Sequence, residues 1–202
     1  MRVFLARHGE TEWNAEHRLQ GQSDTALTAR GRAHAQALSL LLAATPLAAV
    51  YTSTLRRAVD TAGQLAAARG LEPQTRPELV EIGYGVLEGR TAADPDPVVR
   101  ELWAARKRDP LGFRAPGGES YADLWARVAP FAALLVARHT GHGVLVVGHR
   151  GTNRVLLGLL LGRTLEESLA LKQKHDCVLE IRPRCEPECV AHRYAPVAEP
   201  KE

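Results

Sequence analysis

Short, unbroken apolar runs alternate along this chain with longer stretches in which apolar residues recur every three or four positions. Val3-Phe4-Leu5-Ala6 is the first run, and it stops abruptly at Arg7-His8-Gly9-Glu10. That pattern predicts a buried strand that delivers a polar loop at its end. Ala33, Ala37, Leu40 and Leu41 recur at helical spacing behind Thr28, which can cap the helix, and Pro46 lies beyond its end. Ala48 to Thr52 predicts a second strand, followed by a helix from about Thr54 to Gly70. Pro73 to Gly89 shows neither rhythm and is expected to be irregular. A helix over Asp94 to Arg108 is broken by Asp109-Pro110, and Ala115-Pro116-Gly117-Gly118 predicts a turn. Ser120 can cap the next helix, through Leu124, Val128 and Leu135. Val144-Leu145-Val146-Val147 is the clearest strand, and its lack of alternation implies burial on both faces. Gly148-His149-Arg150-Gly151 follows, then a helix through Leu161. Two late strands, near Cys177 to Ile181 and Cys189 to Tyr194, predict a hairpin across Pro183 to Glu188.

Strands alternating with helices imply an α/β fold, a three-layer α/β/α sandwich with a largely parallel sheet. Its 202 residues fit a single domain over residues 1–202. In such sheets ligands bind beyond the carboxyl ends of the strands. Here those ends carry His8, His149 and, just after Ser53, Arg56-Arg57. Separate strands thus bring two imidazoles and a guanidinium to one edge.

Composition narrows the function. The net charge is +3, and no basic run of five residues focuses it, which argues against a nucleic-acid partner. The cations are 22 Arg and only 4 Lys, so a few arginines with a specific partner matter more than the total. No apolar stretch is long enough to span a membrane, and Val3 to Ala6 is too short for a signal-peptide core. Cys177, Cys185 and Cys189 are an odd number, which suits reduced thiols in a cytoplasmic protein. His175 and His192 lie near these cysteines, but no C-x2-C pair is present, so no metal site is expected. Gly83-Tyr84-Gly85 lacks the spacing of a dinucleotide fingerprint.

Arg7-His8-Gly9-Glu10-Thr11 resembles the signature of the histidine phosphatase superfamily, which includes the cofactor-dependent phosphoglycerate mutases. The likeness continues through Trp13-Asn14, Arg18-Leu19-Gln20-Gly21, Asp24 and Leu27 to Gly31. It resumes at Ser53 to Ala58 with Thr61-Ala62, at Glu78 to Gly83 with Leu87-Glu88-Gly89, at Pro116 to Ser120, and at Val146 to Gly151. The resemblance implies a phosphoglycerate mutase-like fold and no cofactor or metal. It implies His8 as nucleophile, Glu81 as general acid and base, and Arg7, Arg57 and His149 as catalytic groups that also bind phosphate. Asn14 and Gln20 resemble phosphate or substrate contacts, and Gly21 and Gly9 would let the backbone approach the ligand.

Elementary chemistry agrees with these roles. A phosphate monoester repels anionic nucleophiles, and a neutral imidazole avoids that repulsion. Arginine forks bind phosphate oxygens in pairs, and a His149 protonated in the phosphate's field would add charge-assisted donation. Each residue also has a structural reading. Spacing to Ala58 and Thr61-Ala62 selects Arg57 over Arg56, which reads as a surface residue. Gly83 and Gly89 favour Glu81 over Glu78, and Glu88 reads as a structural acceptor.

A phosphatase acting on small phosphate monoesters is the expectation, resembling the broad-specificity and α-ribazole-5′-phosphate phosphatases. A cofactor-dependent mutase is the alternative, but the segment from Arg90 to Gly118 lacks the Arg-Arg-x-aromatic element of that branch. A non-catalytic phosphate-binding module is the third reading, and it would not need His8, Arg57, His149 and Glu81 together. Residues 90–118 read as a lid-like insertion in which Trp103, Arg106, Arg108, Phe113 and Arg114 could meet the substrate. The physiological substrate, the breadth of specificity, the role of the cysteines and a homodimer through a sheet edge or a helix stay open at this point.

Overall fold

The N-terminal apolar run becomes β1 (Arg2–Arg7), with its four middle residues buried. In the computed structural model, which describes residues 1–183 and 188–194, β1 lies inside a six-stranded sheet. The other strands are β2 (Ala49–Thr52), β3 (Pro73–Thr75), β4 (Gly143–Gly148), β5 (Cys177–Arg182) and β6 (Glu188–Arg193), in the order β3-β2-β4-β1-β5-β6. The first four of that order run parallel. β5 pairs antiparallel with β1, and β6 antiparallel with β5.

Among the described residues seven helices accompany the sheet: α1 (Glu12–Ala15), α2 (Ala29–Leu41), α3 (Arg56–Ala68), α4 (Pro97–Arg108), α5 (Tyr121–Arg138), α6 (Arg150–Leu160) and α7 (Leu165–Ala170). Alternation along the central strands explains the layers. Phe4, Ala6, Leu145 and Val147 point into a core shared with Ala37, Leu38, Ala58, Ala62 and Leu65 of α2 and α3. Val3, Leu5, Val144 and Val146 point the other way, into a core with Leu124, Val128 and Phe131 of α5 and Val155 and Leu156 of α6. All six residues of β4 are buried, as its unbroken apolar run requires.

Thr28 and Ser120 cap α2 and α5 through their side chains, and Ser120 closes a capping box with Asp123. α3 departs from that plan. Its N-cap, Leu55, has no side-chain acceptor, and Asp24 supplies one from a distant loop by accepting from the Arg56 and Arg57 amides. The segment expected to be irregular contains β3 and two 3-10 turns, Pro77–Leu79 and Gly85–Leu87. α1, α7 and β3 span four, six and three residues, too short to show a repeat.

Cys177 is buried and Cys189 exposed, and both are free thiols. Cys185, and most of the loop expected between β5 and β6, lie outside the described residues. His192 binds Glu180, with Nε2 and Oε2 3.1 Å apart. Among the described residues no helix is long and apolar enough to cross a membrane.

Candidate active site

β1 and β4 end side by side, with Arg7 opposite Gly148. The His8 amide donates to the Gly148 carbonyl at 3.0 Å, so the loop after β1 leaves the sheet in a fixed direction. Gly31 allows the loop to lie against the start of α2, since a Cβ there would stand 2.0 Å from the Glu10 carbonyl oxygen. The His8 ring is 3% exposed and its Nδ1 lies 2.7 Å from the Gly9 carbonyl oxygen. A carbonyl only accepts, so Nδ1 carries the proton and Nε2 keeps its lone pair. Burial, followed by the fields of His149, Arg7 and Arg57, holds this imidazole well below its usual pKa of 6.5. His8 is thus neutral near pH 7.

The His149 ring lies 5.1 Å from that of His8, centre to centre. Its Nδ1 accepts from Arg57 Nε at 3.2 Å, and its Nε2 lies 2.6 Å from Ser53 Oγ. Both ring nitrogens are therefore engaged, and burial followed by the field of Arg57 pushes its pKa well below 6.5. With Arg57 donating to Nδ1, the imidazole is neutral without a bound phosphate, whose field is expected to protonate it.

Arg57, only 1% exposed, is tied into the loop after α1. Its Nη1 donates to the Ser23 carbonyl at 2.6 Å and to Asp24 Oδ1 at 3.1 Å, and its Nη2 to the Gly21 carbonyl at 2.6 Å. With the Nε bond to His149, one Nη2 N–H is left uncommitted. Gly21 has φ +58°, and a Cβ there would meet Glu88 Oε1 at 2.1 Å. Glu88 is the structural acceptor expected: it takes the amides of Gln22, Ser23 and Tyr84 and the Ser23 hydroxyl. Arg7 contrasts with Arg57. Its Nε is buried and finds no partner, and burial lowers its pKa to about 10.

Glu81 reaches the site from the segment after β3 and is anchored on the first turn of α6. Oε1 accepts from the Ile82, Gly151 and Thr152 amides and the Thr152 hydroxyl, while Oε2 accepts from the Gly151 amide alone, at 3.0 Å. Oε2 keeps the spare lone pair. Glu78 lies outside the pocket lining.

These groups line one cavity of about 370 Å³. Arg7, His8, Arg57, Glu81, Asn14, Gln20 and Gly21 all contribute to it. His149 lies behind them, fully buried. Asn14 and Gln20 also hold the loop: Asn14 Oδ1 accepts from the Thr11 amide, and Gln20 bridges Thr11 and Thr25. From residues 90–118 only Trp103 and Arg106 line the cavity. Arg106 lies over the rings of both Tyr84 and Trp103, at 4.9 and 5.3 Å. Arg108 and Arg114 turn to Glu101 and Asp123 instead, and Phe113 packs against the core.

Sequence reasoning assigned no site role to Ser53, Asp24 or His175. His175 precedes β5, and its Nδ1 donates to the His8 carbonyl at 2.7 Å. Its ring stands edge-on to that of His8 at 5.4 Å, and burial holds its pKa at about 3. Residues near a cysteine-containing tail gave no sign of this contact. Asp24 and Ser53 stood within the matching motifs, but His175 did not.

Comparison with known proteins agrees with this geometry. A model of the histidine phosphatase superfamily (branch 1) matches residues 3–192. A "Probable phosphoglycerate mutase GpmB" of Yersinia enterocolitica is 36% identical over 162 residues, 80% of this chain and 75% of that one. Phosphoserine phosphatase 1 of Hydrogenobacter thermophilus is 32% identical over 167 residues, 83% and 79% of the two chains. The crystal structure of the alpha-ribazole phosphatase of Shigella flexneri superposes with a TM-score of 0.88 over all of both chains, at 28% identity.

Proposed function

The chain belongs to the histidine phosphatase superfamily, and from that premise we propose that it hydrolyses small phosphate monoesters through a phosphohistidine on His8. The observation that carries this reading is the His8 tautomer: Nδ1–H is spent on Gly9, so Nε2 is a neutral nucleophile beside Arg7 and Arg57. In the first step Nε2 forms a bond to phosphorus as the ester P–O bond breaks. The leaving oxygen takes a proton from Glu81 Oε2. In the second step Glu81 accepts a proton from water as its oxygen bonds to phosphorus, the N–P bond breaks, and phosphate leaves. Arg7 and the uncommitted Nη2 of Arg57 neutralise the transferring group. A phosphate dianion competes with His149 Nδ1 for the Arg57 Nε–H, and its field favours protonating the freed imidazole.

The test is rapid quenching with a ³²P-labelled monoester. An acid-labile, alkali-stable phosphoenzyme should appear in the native protein and be absent from His8→Ala, whose turnover should fall at least about 10³-fold. Unchanged turnover in His8→Ala would sink the reading. Because side-chain cations supply the charge, a chelator should leave the rate unchanged.

The mutase reading is favoured by one observation, the 36% identity to the Yersinia enterocolitica protein. Incubation with 3-phosphoglycerate and 2,3-bisphosphoglycerate separates the two: phosphate release outpacing isomerisation supports the phosphatase. Residues 90–118 are proposed as the substrate-facing segment, acting through Trp103 and Arg106.

A further inference from the structure

A second cavity, of about 460 Å³, adjoins the first at Arg7. Arg7, Arg150 and Arg154 line both cavities and form a shared cationic wall. The second cavity adds Arg30, Lys172 and Lys174, so six cations face the carboxylates of only Glu10 and Asp176. Among the described residues the one ion pair within this set is Arg30 with Glu10, at 3.8 Å. The donors are also free. Among the described residues Arg7 and Arg150 make no side-chain hydrogen bond to protein, and Arg154 spends only Nε, on the Leu171 carbonyl.

The backbone that presents the lysines is fixed. Gln173 donates to the carbonyls of Leu5 and Cys177 and accepts from Asn153. In an extended segment, residues two apart share a face. Anchoring Gln173 therefore presents the exposed Lys172 and Lys174 together.

We propose that this cavity is a second phosphate site, which binds a phosphoryl dianion while another occupies the cavity at His8. A dianion fits better than a carboxylate because the uncompensated charge exceeds one unit, and arginine forks and lysines together match phosphate oxygens. Two dianions, one in each cavity, would share the three arginines that line both. The bound group is either free phosphate or the second phosphate of a bisphosphorylated substrate.

Calorimetric titration with inorganic phosphate tests the site without turnover. The native protein should bind two phosphates, and K172E/K174E should lose one of them by at least tenfold in affinity. The charge-matched control K107E/R108E on α4 should retain both. A single site in the native protein, or a second site that survives K172E/K174E, overturns the proposal. Both lysines are exposed; if thermal unfolding shows the double reversal misfolded, K172Q/K174Q takes its place.

The source is read from hydrolysis of a sugar monophosphate and the matching bisphosphate, an arm that rests on the phosphatase reading. A tenfold rise in KM for the bisphosphate alone assigns the site to the substrate's second phosphate. Unchanged KM for both, with the second binding event lost, assigns it to free phosphate. An equal rise for both means that the reversal acts as a general field, and the assigned site fails.

Discussion

Arg57 commits four N–H contacts to the protein, on His149, Ser23, Asp24 and Gly21, whereas Arg7 makes no such bond among the described residues. Two arginines in one cavity therefore carry different loads. On the proposed mechanism Arg7→Met removes phosphate donors and little else, so kcat/KM should fall about 10²-fold or more while the unfolding midpoint stays level. Arg57→Lys keeps the charge but not the fork, and strands Asp24 and two carbonyls. It should lower activity and also cost about 3 kcal/mol of stability, read by urea unfolding. Equal stability losses in both variants would contradict this division.

At the level of elements, the site is assembled by loops that the sheet only aims. Glu88 ties the loop of Gln22 and Ser23 to the turn at Tyr84 through four donors, and the first of these loops carries the carbonyls that hold Arg57. Glu88→Gln replaces an acceptor oxygen with an NH2 that faces donors. It should cost about 2 kcal/mol and lower kcat/KM, although Glu88 itself touches no reacting atom. Wild-type activity in Glu88→Gln would show that the loops hold without it. The strands and long helices were legible in the sequence because burial imposes a pattern on them, an unbroken apolar run in β4 and a helical period in α2. α1, β3 and α7 are shorter than a readable repeat, although Thr164 and Glu167 form a capping box that marks α7. His8, Arg57, Glu81 and His149 were legible through ordered motifs. His175 was not, because its contact with His8 joins positions 167 apart and depends on where β5 pairs.

The whole molecule responds to pH through its buried imidazoles. His8, His149 and His175 are all held below 6.5 in the folded chain, chiefly by burial. Below pH 6.5 the unfolded chain binds more protons than the folded one, so stability falls as pH falls. Each such histidine removes about 1.4 kcal/mol per pH unit, for His175 until its folded value near 3 is reached. Urea unfolding should therefore show about 4 kcal/mol less stability at pH 5.5 than at pH 7.5, and His175→Gln should remove about a third of that slope. A flat profile over this window would mean that the three rings are not held neutral. The place of β1 in the sheet has a further consequence, for the order in which the protein acquires its activity. Val3 pairs with Val144 on one side and Ile181 on the other. The strand that aims His8 precedes both its neighbours in the chain, by 141 residues from Val3 to Val144 and by 178 from Val3 to Ile181. Such distant pairings carry a large loop-closure cost and make folding slow. A nascent chain halted before β5 leaves β1 with an open hydrogen-bonding edge, the kind of surface on which incomplete chains associate. His8 is thus made well before the two strands that fix its own strand in the sheet.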